Sequence, residues 1–200
     1  MNTNSKVVMN SINNMMEIYH ELADFGVTLD NLVVDGNSNW EKIGKKGFES
    51  DKDADKTLYV NNWMQSKFRA SYKRTPGELL CVNVIFAGHW GVEIEEPLLL
   101  SVNCKLNKSL REDVIRRWAK TDVPLSLYYQ TETFKKPQKV YTANDLLTSR
   151  SRKKLMDIED WGESEFDEIS SMKFVFSPLL ELGNTGEIKE KILEPLGVFE

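Results

Sequence analysis

The stretch ELLCVNVIFAGHWGVEIEEPLLLSVNCKL, residues 78–106, constrains this chain more than any other. Apolar residues hold nearly every even position: Leu80, Val82, Val84, Phe86, Val92, Ile94, Leu98, Leu100, Val102 and Cys104. The odd positions mix Asn83, Glu93, Glu95, Ser101, Asn103 and Lys105 with Leu79, Ile85 and Leu99. Side chains alternate across a strand. The parity therefore predicts antiparallel strands whose even residues point into a core together, leaving the odd residues to solvent or a ligand. A continuous even face pairs Phe86 with Ile94 and leaves His89-Trp90-Gly91 as a three-residue loop. Pro97 breaks or bulges the chain before the next strand.

Around this block the chain alternates helix and strand signals. Val8, Ile12, Met15, Met16, Tyr19, Leu22 and Ala23 recur at helical spacing and predict an amphipathic helix over 6–25, with Ser5 as N-cap and Gly26 as the stop. The two adjacent methionines fit core packing, although such side chains also suit an adaptable partner surface. A short strand at Leu32–Val34 and an Asp35-Gly36 turn follow, then a charged, glycine-punctuated loop over 41–57. Residues 58–74 read as an aromatic-rich hairpin turning at Asn61-Asn62, and Pro76-Gly77 closes it.

Beyond residue 106, Ser109 and Glu112 form a capping-box pattern for a second helix, which Pro124 ends. Its inner face is Leu110, Val114, Ile115 and Trp118. LSLYYQTETF reads as a strand, and QKVYTANDLL as a short strand entering a helix capped at Thr142 or Asn144. MKFVFSP reads as a strand and GEIKEKIL as a closing helix that stops at Pro195. The expectation is one α+β domain over 1–200: a helix at 6–25, a mainly β core at 29–106 and mixed structure at 107–200. An antiparallel sheet of about five to seven strands is covered on one face by the N-terminal helix and others.

The net charge of −5 excludes a general nucleic-acid coat, so any such binding must use a local patch. Two cysteines, Cys81 and Cys104, supply neither a disulfide framework nor a four-cysteine zinc site, and they suit reduced, buried thiols in a cytoplasmic protein. The N-terminus lacks a signal-peptide pattern, and no apolar run approaches the roughly 18 residues of a membrane span. No cofactor or metal is expected.

Glu93 or Glu95, with Lys105 on the next strand, imitates a divalent-metal nuclease, in which carboxylates hold the metal and the lysine helps activate water. Asn103, two residues before Lys105, replaces the second acid that magnesium favours, so a half-solvated sheet face is the better reading. Asp51, Asp53 and Asp55 imitate a calcium loop, but Lys56 and Asn62 stand where glycine and glutamate are needed. His20 and His89 fall in no nucleophile motif, and enzymatic activity is not the expectation.

The strongest positive pattern interleaves rings and cations. Trp63, Phe68 and Tyr72 would stack on bases, while Lys67, Arg69, Lys73 and Arg74 contact phosphate and Arg116 and Arg117 extend the basic surface. The leading expectation is thus a non-catalytic, single-stranded nucleic-acid-binding accessory factor in DNA replication or repair. The runner-up is a protein-binding inhibitor or adaptor that works through the acidic stretch 157–168, and a metal-dependent nuclease comes third.

Overall fold

The structure, a computed structural model, describes residues 3–36, 39–50, 67–86, 94–109, 111–118, 123–130, 136–150, 152–153 and 167–200. Among them lie one long helix, α1 (Thr3–Asp30), and one antiparallel sheet. The strands are β1 (Glu41–Ile43), β2 (Glu49–Ser50), β3 (Lys67–Arg74), β4 (Glu78–Ile85), β5 (Leu98–Leu106), β6 (Tyr141–Thr142) and β7 (Ile169–Pro178). Their order is β1-β3-β4-β5-β7-β6, with β2 also paired to β3. Shorter helices are α2 (Glu112–Trp118), α3 (Val123–Gln130), α4 (Ala143–Leu146) and α5 (Thr185–Ile188). A π-helical turn, Lys189–Leu193, continues α5. The architecture is α+β, as the sequence pattern predicts.

The parity of residues 80–104 does not survive. The β4–β5 ladder pairs Leu80 with Asn103, Val82 with Ser101 and Val84 with Leu99, so even positions of one strand share a face with odd positions of the next. The ladder ends at Ile85–Leu98, and Ile94 lies outside any strand. Helices cover both faces of these strands, and Asn83, Ser101 and Asn103 are buried with the rest. A strand buried on both faces reads as a nearly continuous apolar run, and its alternation no longer says which side is wet.

One core lies between Leu79, Cys81, Leu100, Val102, Cys104, Phe174 and Phe176 of the sheet and Val123, Leu125, Leu127 and Leu146 of α3 and α4. The second lies on the opposite face. There Ala70, Tyr72, Leu80, Val82, Val84, Leu99 and Val175 meet Leu22 and Leu29 of α1 and Ile188, Ile192, Leu193, Leu196 and Val198 near the C-terminus. The N-terminal helix therefore covers one face, as expected, and a second helical layer covers the other.

Local expectations fare unevenly. Gly26 does not stop α1; it is buried in mid-helix, where an added Cβ would lie 2.9 Å from the Phe48 backbone nitrogen. The predicted strand at Leu32–Val34 is instead a π-helical turn, Asn31–Asp35, which buries Val33 beneath the helical layer. The loop at 41–57 contributes β1 and β2, two pieces of one edge strand separated by a short excursion. Gly44 and Gly47 take positive φ (88° and 74°), which lets the chain leave the edge and return. Pro124 stands in the first turn of α3 rather than ending α2, a place where its missing N–H costs nothing. The predicted strand LSLYYQTETF contributes α3 in its described part: a short, fully buried apolar run does not reveal its period.

Other expectations hold. Thr142 caps α4 in a capping box with Asp145, whose carboxylate accepts from the Thr142 amide at 2.8 Å and hydroxyl at 3.0 Å. MKFVFSP forms the C-terminal seven residues of β7. GEIKEKIL forms α5 and its continuation, with Asn184 accepting from the Glu187 amide as N-cap.

Candidate interaction surface

Of the residues singled out for nucleic acid, the described ones on β3 divide between the two faces of the sheet. Trp63 lies outside the described residues, as does the calcium-like loop, and of Lys67 only the backbone in β3 is described. Strand alternation places Phe68 and Tyr72 on the face beneath α1, and Arg69 and Lys73 on the other. Tyr72 is fully buried, and a ring with no exposed face has nothing to offer a base. Phe68 is half-buried and meets Tyr19 and Phe86 edge-on, with ring centroids 5.8 and 6.1 Å apart.

The cations are engaged. Lys73 pairs with Glu41 at 2.9 Å. Arg74 pairs with Glu78, lies 4.8 Å over the Trp40 ring and donates to the Val198 carbonyl at 3.2 Å. Arg116 and Arg117 pair with Glu112 and Asp113 one helical turn earlier, at 2.7 and 3.5 Å. Arg69 is half-buried in β3, opposite Glu49.

The described metal-site residues stay apart. Glu93 lies outside the described residues, and Glu95 is exposed before β5 begins. Lys105 is near the far end of β5, where Glu78 holds it at 3.1 Å. From Leu98 to Lys105 is seven residues, or ~23 Å at about 3.3 Å per residue. That exceeds any shared coordination sphere. Asn103 is buried and donates to the Leu196 carbonyl at 3.0 Å. Among the described residues no group of three or more His, Cys, Asp or Glu is placed to hold a metal.

Sequence reasoning missed a buried polar clasp at the C-terminal end of α1. Asp30 Oδ1 accepts from Lys42 Nζ at 2.7 Å and from the Tyr72 hydroxyl at 2.6 Å, and Oδ2 accepts from the Gly47 amide at 2.6 Å. Lys42 also donates to the Gly47 carbonyl at 2.8 Å and sits 4.3 Å over the Tyr72 ring. Burial pushes Lys42 below the ordinary lysine range, against the opposing pull of Asp30. Burial, then the bond to Asp30, pushes Tyr72 well above the tyrosine range. Phe25 stacks on Phe48 at 5.8 Å beside the clasp. Nothing local in sequence marks Asp30, because its partners come from β1, the edge excursion and β3.

The clasp holds one end of α1, and toward the other end large apolar side chains are exposed. Ser5, Val8, Ile12, Met15, Tyr19, Leu22, Gly26, Leu29 and Val33 form an unbroken alternation of three- and four-residue steps, the spacing of an a/d seam. From Leu22 onward this seam is buried, down to 0% exposure at Leu29. Toward the N-terminus it emerges: Ile12 is 40% exposed and Val8 56%. Beside them Val7, Met9, Met16 and Ile18 are exposed too, Met16 by 55%. A monomer rarely leaves so many large apolar groups together in water.

No helix among the described residues is long and apolar enough to cross a membrane. Comparison of the chain with protein-family models, with curated proteins and with solved structures found no match.

Proposed function

We propose that this is a binding protein whose contacts are with protein, made through the N-terminal half of α1. The observation that carries the reading is the exposed apolar set Val8, Met9, Ile12 and Met16 on a helix whose other end is clasped to the sheet. A rigidly held helix with one apolar face suits the helix-in-groove mode of recognition, in which side chains at i, i+3, i+4 and i+7 are the anchors. The acidic stretch 157–168 adds little to this reading: of it only Asp167 and Glu168 are described, and Glu168 pairs with Lys108 at 2.9 Å.

The test sets this reading against single-strand binding in DNA replication or repair. The immobilised chain is offered nuclease-treated cell extract, beside an Ile12→Lys/Met16→Lys variant. In parallel, a short single-stranded oligonucleotide is titrated at two salt concentrations with tryptophan emission as the signal. The reading expects protein capture that the variant loses and no quenching by the oligonucleotide. Quenching that weakens steeply with salt would transfer the assignment to nucleic acid. Capture that the variant leaves intact would remove α1 from the function.

A further inference from the structure

We infer that the partner for the exposed half of α1 is a second copy of the same helix, packed antiparallel about a two-fold axis. This rests on the protein-contact reading above and commits it to one occupant. In the a/d seam set out above, Ser5 is an a position. The a and d residues from 5 to 26 are Ser5, Val8, Ile12, Met15, Tyr19, Leu22 and Gly26. The flanking e and g residues are Met9, Ser11, Met16, Ile18, Ala23 and Phe25. None of these carries charge. Lys6, Glu17, His20, Glu21 and Asp24 all fall at the outward b, c and f positions.

Flanking positions normally carry the charges that choose a partner and an orientation. With none here, a complementary surface must itself be apolar and uncharged. The chain as a whole carries −5, yet this helix face is neutral, so a second copy meets it with no like-charge penalty.

Orientation follows from the bodies attached to the helices. A parallel pair would set the two bodies, each with 25 basic and 27 acidic residues over 31–200, side by side at the same end, and would put Glu17, Glu21 and Asp24 of the two helices level with one another. An antiparallel pair sets Val8 against Tyr19 and Ile12 against Met15, with Met9 beside Met16 and Ser11 beside Ile18. Val8 and Tyr19 are separated by eleven residues, ~16 Å along the axis at about 1.5 Å per residue. That puts the two bodies at opposite ends, farther apart than the ~8 Å screening length at physiological ionic strength.

Size sets the strength. About four helical turns form a strip ~24 Å long and ~10 Å wide, well short of the ~800 Å² per partner that stable complexes bury. The dimer is therefore reversible, and its population rises with concentration.

Sedimentation velocity of the full chain between about 1 and 200 μM, a range chosen for a weak interface, tests this. The expected result is a shift from 23.1 kDa toward twice that mass. Ile12→Lys/Met16→Lys, with an unchanged circular dichroism spectrum because both sites are exposed, weakens association by more than about 100-fold. A chain that stays monomeric throughout, or a dimer indifferent to the double variant, overturns the inference. The antiparallel sense is read by oxidation: Ile12→Cys protein mixed with Met15→Cys protein cross-links, and Val8→Cys protein alone does not. Ready self-cross-linking of Val8→Cys overturns the orientation. If the chain is monomeric yet still loses captured protein on Ile12→Lys/Met16→Lys, the protein-contact reading stands and the self-pairing falls.

Discussion

Replacing Asp30 by alanine is the sharpest test of what holds α1 to the sheet. The change removes the acceptor of three hydrogen bonds, from Lys42, Tyr72 and the Gly47 amide, each between 2.6 and 2.7 Å. It also leaves the Lys42 ammonium, on a side chain only 13% exposed, without its counter-charge. Breaking a buried pair on one side costs about 3–5 kcal/mol. An orphaned hydroxyl or amide adds about 1–3 kcal/mol where no other acceptor replaces the lost one. Two features limit the loss: Lys42 keeps its bond to the Gly47 carbonyl and its place over the Tyr72 ring.

The net expectation is a destabilisation of ~4 kcal/mol, a large part of the ~5–15 kcal/mol that holds a domain folded. Urea unfolding followed by tryptophan emission measures it, since Trp40 is buried against the same layer. The companion Asp30→Ala/Lys42→Met variant removes both charges and recovers ~2 kcal/mol of that loss, because an apolar pair has no ion to desolvate. A single variant costing less than ~1 kcal/mol, or a double variant no better than the single, would show that the clasp does not act as a coupled charge pair.

Three further outcomes follow from the same structure. Tyr72→Phe costs ~2 kcal/mol at neutral pH, and the cost shrinks as pH climbs above about 10, since the unfolded tyrosine then ionises while the buried one stays neutral. Lys42 acts with the opposite sign, adding stability as pH rises from its lowered pKa to 10.5, but it is present in both proteins and cancels in their difference; a Tyr72→Phe deficit constant from pH 9 to 11 would therefore refute the assignment. Gly26→Ala lowers stability by ~1–3 kcal/mol although alanine favours helix, because its Cβ meets the Phe48 backbone nitrogen at 2.9 Å; an equal or raised urea midpoint contradicts the close packing. Burial pushes the Cys104 thiol up to about 12, so it resists alkylation at pH 8 in the native chain and reacts once urea unfolds it, whereas rapid native labelling would put it at the surface.

Composition, spacing and caps made the local elements legible. The helical spacing of α1, the Thr142 cap and the apolar run of β7 each depend on residues close in sequence; the cap and the strand form as read, while α1 forms but runs past both of its expected ends, over Thr3–Asp30. What alternation could not carry was the number of buried faces. Asn83, Ser101 and Asn103 look like solvent-side residues, yet all three are buried; Asn83 accepts from the Leu125 amide and Asn103 donates to Leu196. A polar residue in a strand reports a hydrogen-bond partner as readily as it reports water, and those partners lie 42 and 93 residues away.

The same limit governed the sites. Phe68, Arg69, Tyr72 and Lys73 are neighbours in sequence, but period-two geometry splits them between the faces of β3. Asp30, Lys42, Gly47 and Tyr72 are scattered in sequence and meet only because the interrupted edge strand folds over the end of α1. Where α1 leaves the core was equally illegible, because one seam runs from Ser5 to Val33 without a change of period. Helical spacing is a property of neighbours along the chain, and burial depends on what distant segments bring against them.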